Sequence, residues 1–72
     1  MKNRKQFIAI FFFEHRSPVR YHCINLLSLS QFVQSKYGNW SAVNVYNSER
    51  FFCRQFKNCE YLPARLYDFF NH

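Results

Sequence analysis

A chain of 72 residues carrying ten Lys and Arg against four Asp and Glu, for a net charge of +6, is sized for a single domain over residues 1–72. Its charge draws it to polyanions: nucleic acid, an anionic membrane face or an acidic protein surface. One Gly and two Pro against 49% hydrophobic residues exclude a disordered chain, and a lone Gly excludes a glycine-rich phosphate loop. A folded chain this short hides only ~60% of the surface its unfolded form exposes. Ten Phe, five Tyr and one Trp, each able to withdraw roughly 150–250 Å² from water, make a core feasible without disulfides.

Lys2, Arg4 and Lys5 form an N-terminal basic cluster able to meet phosphates or an acidic protein, or else a charged strand entry that protects a sheet edge. Phe7 to Phe13 is an unbroken apolar run rich in β-formers, which predicts a strand central in a sheet or covered on both faces. Together the two imitate a signal peptide. The run stops at Glu14-His15-Arg16 without a small-residue cleavage site, and falls far short of the ~20 residues a spanning helix requires. The expectation is therefore a cytoplasmic chain with no membrane partner. Glu14 to Pro18 carries turn signals and Val19 to Leu26 gives a second β-like run, so the two runs predict an antiparallel hairpin.

From Leu27 to Gly38 several signals predict a helix. Ser28 and Gln31 stand at capping-box spacing, with Leu27 and Phe32 at the two staple positions. Leu29, Phe32, Val33 and Tyr37 recur as one apolar stripe. Lys36 suits the last turn, and Gly38 supplies a left-handed stop. Trp40 to Tyr46 alternates polar and apolar residues, Asn47-Ser48-Glu49 reads as a turn, and Arg50 to Phe56 is again β-rich, giving a second hairpin. In the tail, Pro63 can open a short helix bearing Leu62, Leu66, Phe69 and Phe70, or Ala64 to Phe70 can be an edge strand. The fold expected is α+β: a two-layer sandwich, β-β-α-β-β plus the C-terminal element, with one helix on one face of an antiparallel sheet.

Period-two alternation assigns strand residues to sides. With Val43 and Val45 facing the helix, Trp40, Asn44 and Tyr46 face away. With Phe51 and Cys53 inward, Arg50, Phe52, Arg54 and Phe56 face away, and Val19, Tyr21 and Cys23 inward leave Arg20 and His22 outward. The predicted binding face is thus Arg20, His22, Trp40, Tyr46, Arg50, Phe52, Arg54 and Phe56, with Lys2, Arg4 and Lys5 as a second basic cluster. Guanidinium groups there would neutralise phosphate while rings stack on bases. The competing reading makes Phe52 and Phe56 a second-face core beneath the C-terminal element, with the arginines as solvated rims. Arg50-Phe-Phe-Cys-Arg-Gln-Phe56 resembles the aromatic strand motif of RNA-recognition domains without its glycines.

Cys23, Cys53 and Cys59 cannot all pair within one chain, which favours a reducing compartment. His22-Cys23, Cys53 and Cys59 include no C-x₂-C pair, and adjacent strand residues point to opposite faces, so no metal or other cofactor is expected. Glu14, Glu49, Glu60 and Asp68 are scattered, and no His stands in a nucleophile or metal signature, so the chain reads as non-enzymatic.

The order strand, strand, Ser28-Leu29-Ser30 helix, Gly38, strand, strand, spanning Phe7 to Phe56, is similar to that of several small anti-CRISPR proteins carried by phages and mobile elements. The resemblance implies a stand-alone inhibitor that binds a host protein or nucleoprotein complex, such as a CRISPR surveillance complex, and blocks nucleic-acid access. It transfers no residue role. The alternative is a stand-alone DNA- or RNA-binding module that uses the basic aromatic sheet face.

Overall fold

The structure, a computed structural model, describes residues 6–70; the basic cluster of Lys2, Arg4 and Lys5 lies outside the described residues. Strand β1 (Phe7–Phe12) pairs antiparallel with both β2 (Val19–Cys23) and β3 (Ala42–Tyr46), and β3 pairs antiparallel with β4 (Phe52–Lys57). The strand order is β2-β1-β3-β4. A strand with neighbours on both sides has no water-facing backbone edge, which is why β1 can be apolar throughout. Helix α1 (Leu26–Tyr37) carries the chain from β2 across to β3.

Phe7, Ala9 and Phe11 of β1, Cys23 of β2, Val43 and Val45 of β3 and Phe56 of β4 form one buried cluster with Leu26 and Val33 of α1. Trp40, Leu62 and Leu66 complete it. The C-terminal element is helix α2 (Leu66–Phe70), on the same side of the sheet as α1. Tyr67 and Phe70 lie 5.3 and 5.6 Å from the Phe7 ring, and Phe69 lies 5.9 Å from Phe56. Backbone hydrogen bonds from Leu27 N–H to the Pro63 carbonyl (3.1 Å) and from Leu66 N–H to the Ile24 carbonyl (3.1 Å) fasten the tail to the start of α1. The fold is an α+β sandwich with helices on one face of a four-stranded antiparallel sheet.

The helix begins earlier than its capping-box signal predicts. Asn25, in extended conformation, is the N-cap, and its side-chain oxygen accepts the Ser28 N–H at 2.9 Å. Starting there turns Leu26 fully into the core, which Ser28 as cap would leave outside the helix. The buried stripe becomes Leu26, Ser30 and Val33, flanked by Leu29 and Tyr37. Ser30 donates its hydroxyl to the Leu27 carbonyl at 2.7 Å. Phe32, predicted within the stripe, is half-exposed and leans edge-on against Tyr21. Gly38 ends the helix at φ +97°, its N–H bonded to the Gln34 carbonyl.

The β3–β4 hairpin departs most from the alternation reading. Asn47 N–H bonds the Phe51 carbonyl, Arg50 N–H bonds the Asn47 carbonyl, and the Asn47 side-chain oxygen accepts from Glu49 and Phe51 N–H. Arg50 therefore sits in this turn, not in β4, at φ +73°, where its Cβ crowds the backbone. Phe51, predicted inward, is exposed. Arg50→Gly is expected to stabilise the fold by about 1 kcal/mol, because glycine enters this region without steric cost. In a domain this size that raises the melting temperature by roughly 4–8 °C, readable by circular dichroism.

Candidate functional site: the open sheet face

With α1 and α2 on one side, the other side of the sheet presents the alternate residues of every strand. The pairing places His22, Ile8, Tyr46 and Phe52 in one row, and Arg20, Ile10, Asn44 and Gln55 in the next. Phe12, Ala42 and Lys57 form a third. Neighbouring strands lie about 4.8 Å apart, so the face is roughly 14 Å wide. Along β1, Ile8 is buried at 8% exposure while Ile10 and Phe12 are half-buried; cationic residues occupy both edge strands, and rings and amides fill β3 and β4.

Four of the eight residues predicted for this face are on it. Arg20 and His22 are exposed, Tyr46 is half-buried, and Phe52 is 57% exposed. The Tyr46 and Phe52 rings meet edge-on at 5.6 Å and 70°. The other four are elsewhere. Trp40 is 3% exposed, its ring edge-on to Phe11 at 5.2 Å in the core. Alternation does not reach back to it, because β3 starts only at Ala42. Phe56 is 1% exposed and faces Val43. Arg54 lies opposite Val45 on the helix-bearing side, its guanidinium 4.6 Å from the Phe56 ring and 5.8 Å from Phe69. Its guanidinium is also 3.9 Å from the Glu60 carboxylate, an exposed pair of small energetic weight. Arg50 is exposed, but in the turn.

One irregularity accounts for the reversal of Arg54 and Phe56. Val45 pairs with Arg54 while Tyr46 pairs with Phe52, so Cys53 is an extra residue in β4. A bulge of this kind inverts the facing of every residue beyond it. It also brings Gln55 and Lys57 onto the open face, where simple alternation had not put them. Nothing in the local composition of Phe51-Phe52-Cys53 marks a bulge.

The face has one sign of charge. No strand residue is acidic, and the carboxylates of Glu60 and Asp68 are engaged by Arg54 and Arg65 away from it. Gln55 Nε2 donates to Asn44 Oδ1 at 2.8 Å, and Asn44 Nδ2 reaches the Tyr46 hydroxyl at 3.4 Å. These bonds fix the orientation of the Asn44 amide.

The helix-bearing side holds the titratable interior. Burial pushes the Cys23 thiol up to about 12 and raises that of Cys53, whereas Cys59 is exposed. An acid whose pKa is raised on folding contributes stability below its unfolded value, near 9, that is lost as pH rises toward 12. The wild-type chain should lose stability across that window more steeply than Cys23→Ala, as urea titrations at successive pH values would measure. A disulfide-exchange reagent at neutral pH should modify Cys59 first and Cys23 only on unfolding. Among the described residues, no three His, Cys, Asp or Glu side chains converge as metal ligands, and no helix is long and apolar enough to cross a membrane.

Compared with known proteins, the chain matches no family model, no curated protein and no solved structure.

Proposed function

We propose that this chain is a non-enzymatic binding protein, an inhibitor of the small anti-CRISPR kind, which docks on a host nucleoprotein complex through its open sheet face and blocks nucleic-acid access. The observation that carries the reading is a sheet face with Arg20, His22 and Lys57 at its margins and no carboxylate in any strand. Such a face is complementary to phosphate or to an acidic surface, and its half-buried Ile10 and Phe12 and exposed Phe52 within a polar rim have the anatomy of a docking patch. The charge also narrows where on a complex it docks. A body of net charge +6 is repelled by an empty, basic nucleic-acid channel and attracted by the nucleic acid already held there.

Adding the purified chain to the CRISPR surveillance complex of its host, loaded with guide, tests this directly. Binding of labelled target DNA should fall at stoichiometric amounts of the chain, and the chain should comigrate with the complex on size exclusion. Undiminished target binding with no comigration would overturn the inhibitor reading.

A further inference from the structure

We infer that the nucleic acid taken by the open face is single-stranded, its bases stacking on the Tyr46–Phe52 pair; this rests on the proposed function of that face. Three observations converge on it. Phe52 leaves more than half its surface in water beside Tyr46, and only an unpaired base offers a free π-face to such a ring. Duplex recognition by contrast inserts a helix or ribbon into a groove, whereas both helices lie against the opposite side of this sheet. The third observation is the amide pair. Asn44 and Gln55 are hydrogen-bonded to each other in the row beside the rings, so the remaining amide groups of Gln55 stand in the row next to a base stacked on Phe52. An acidic protein surface would satisfy Arg20 and Lys57 equally well but would leave the exposed ring and the amide pair without a role. The roughly 14 Å between edge strands accommodates two or three nucleotides, with phosphates at Arg20 on one margin and Lys57 on the other.

Fluorescence anisotropy of labelled dT20, with heparin as a polyanion lacking bases and a 20-base-pair duplex as competitors, separates stacking from charge. The full chain should prefer dT20 to the duplex. Phe52→Ala should weaken dT20 about tenfold, within the range expected for one lost stack, and leave heparin competition unchanged. Phe52→Leu, which keeps an apolar side chain but no π-face, should do the same with the melting temperature unmoved. Equal or tighter binding of the duplex would overturn the inference, as would wild-type dT20 affinity in both Phe52 variants or an equal loss toward heparin. Loss of dT20 and heparin together in Arg20→Glu/Lys57→Glu, alongside an unaffected Phe52→Leu, would retain the charged face while refuting the single-strand preference. Unaltered heparin and dT20 binding in that charge-reversed pair would refute the face itself.

Discussion

Phe56→Ala is expected to unfold the chain rather than trim a contact surface. The ring is 1% exposed, and it packs with Val43, Phe69 and the Arg54 guanidinium where β4 meets α2. Deleting a buried phenyl group typically costs about 3–5 kcal/mol. A domain holds only about 0.05–0.15 kcal/mol per residue, so the loss takes about a third or more of what a chain of 72 residues has. Urea titration and near-ultraviolet circular dichroism should show most of the variant unfolded at 37 °C. Phe52→Ala, on the other side of the bulge, should remain folded, because its ring is already mostly in water. A Phe56→Ala variant as stable as the wild type would mean that Cys53 is not an extra residue and that the alternation predicted from the sequence runs through β4.

Reversing two charges, Arg20→Glu with Lys57→Glu, is expected to have the largest effect on binding with the least on stability. Both side chains are exposed on edge strands, and such substitutions usually move stability by about 0.5 kcal/mol or less. On the proposed reading, each substitution takes away one phosphate contact and installs a repulsion. Affinity for a polyanion at low salt should fall on the order of a hundredfold, and the slope of log affinity against log salt should flatten by roughly one unit per residue. Arg54→Glu is the internal comparison. Its guanidinium covers Phe56 on the helix-bearing side and faces Glu60, so reversal should lower the melting temperature and leave the salt slope unchanged. A full loss of binding in Arg54→Glu, with the pair Arg20 and Lys57 indifferent, would put the contact on the wrong side of the sheet.

Much of the fold was legible because independent local signals agreed. The Phe7–Phe13 run, the punctuation at Glu14 to Pro18, the Ser-Leu-Ser helix with Gly38 at its end and the Asn47-Ser48-Glu49 turn all map onto observed elements. The helix start was misread because Asn25 and Ser28 are both good caps, and only the tertiary demand to bury Leu26 chooses between them. The site was half legible. Alternation holds where strands are regular, so Arg20, His22 and Tyr46 fell on the expected side. It fails beyond Cys53, where facing depends on a pairing shift against β3 that no short-range pattern encodes. Trp40 was lost for a related reason: four irregular residues, Gly38 to Ser41, precede Ala42, and an aromatic with no strand to orient it packs into the core against Phe11. Phe32 shows the reverse error, an apolar residue at stripe spacing that the twist of the helix leaves in contact with Tyr21 at the surface.

The position of β1 between β2 and β3 has a cost during synthesis. Its Phe-Ile-Ala-Ile-Phe-Phe sequence is uncharged and free of proline and glycine, the composition that assembles into intermolecular cross-β stacks. One flank is covered as soon as β2 emerges, but the partner for the other flank, β3, begins some thirty residues later in the chain and waits on α1 to cross over. Any substitution that loosens the β1–β3 seam will therefore appear as insoluble protein in the expressing cell, before it is measurable as a lowered melting point.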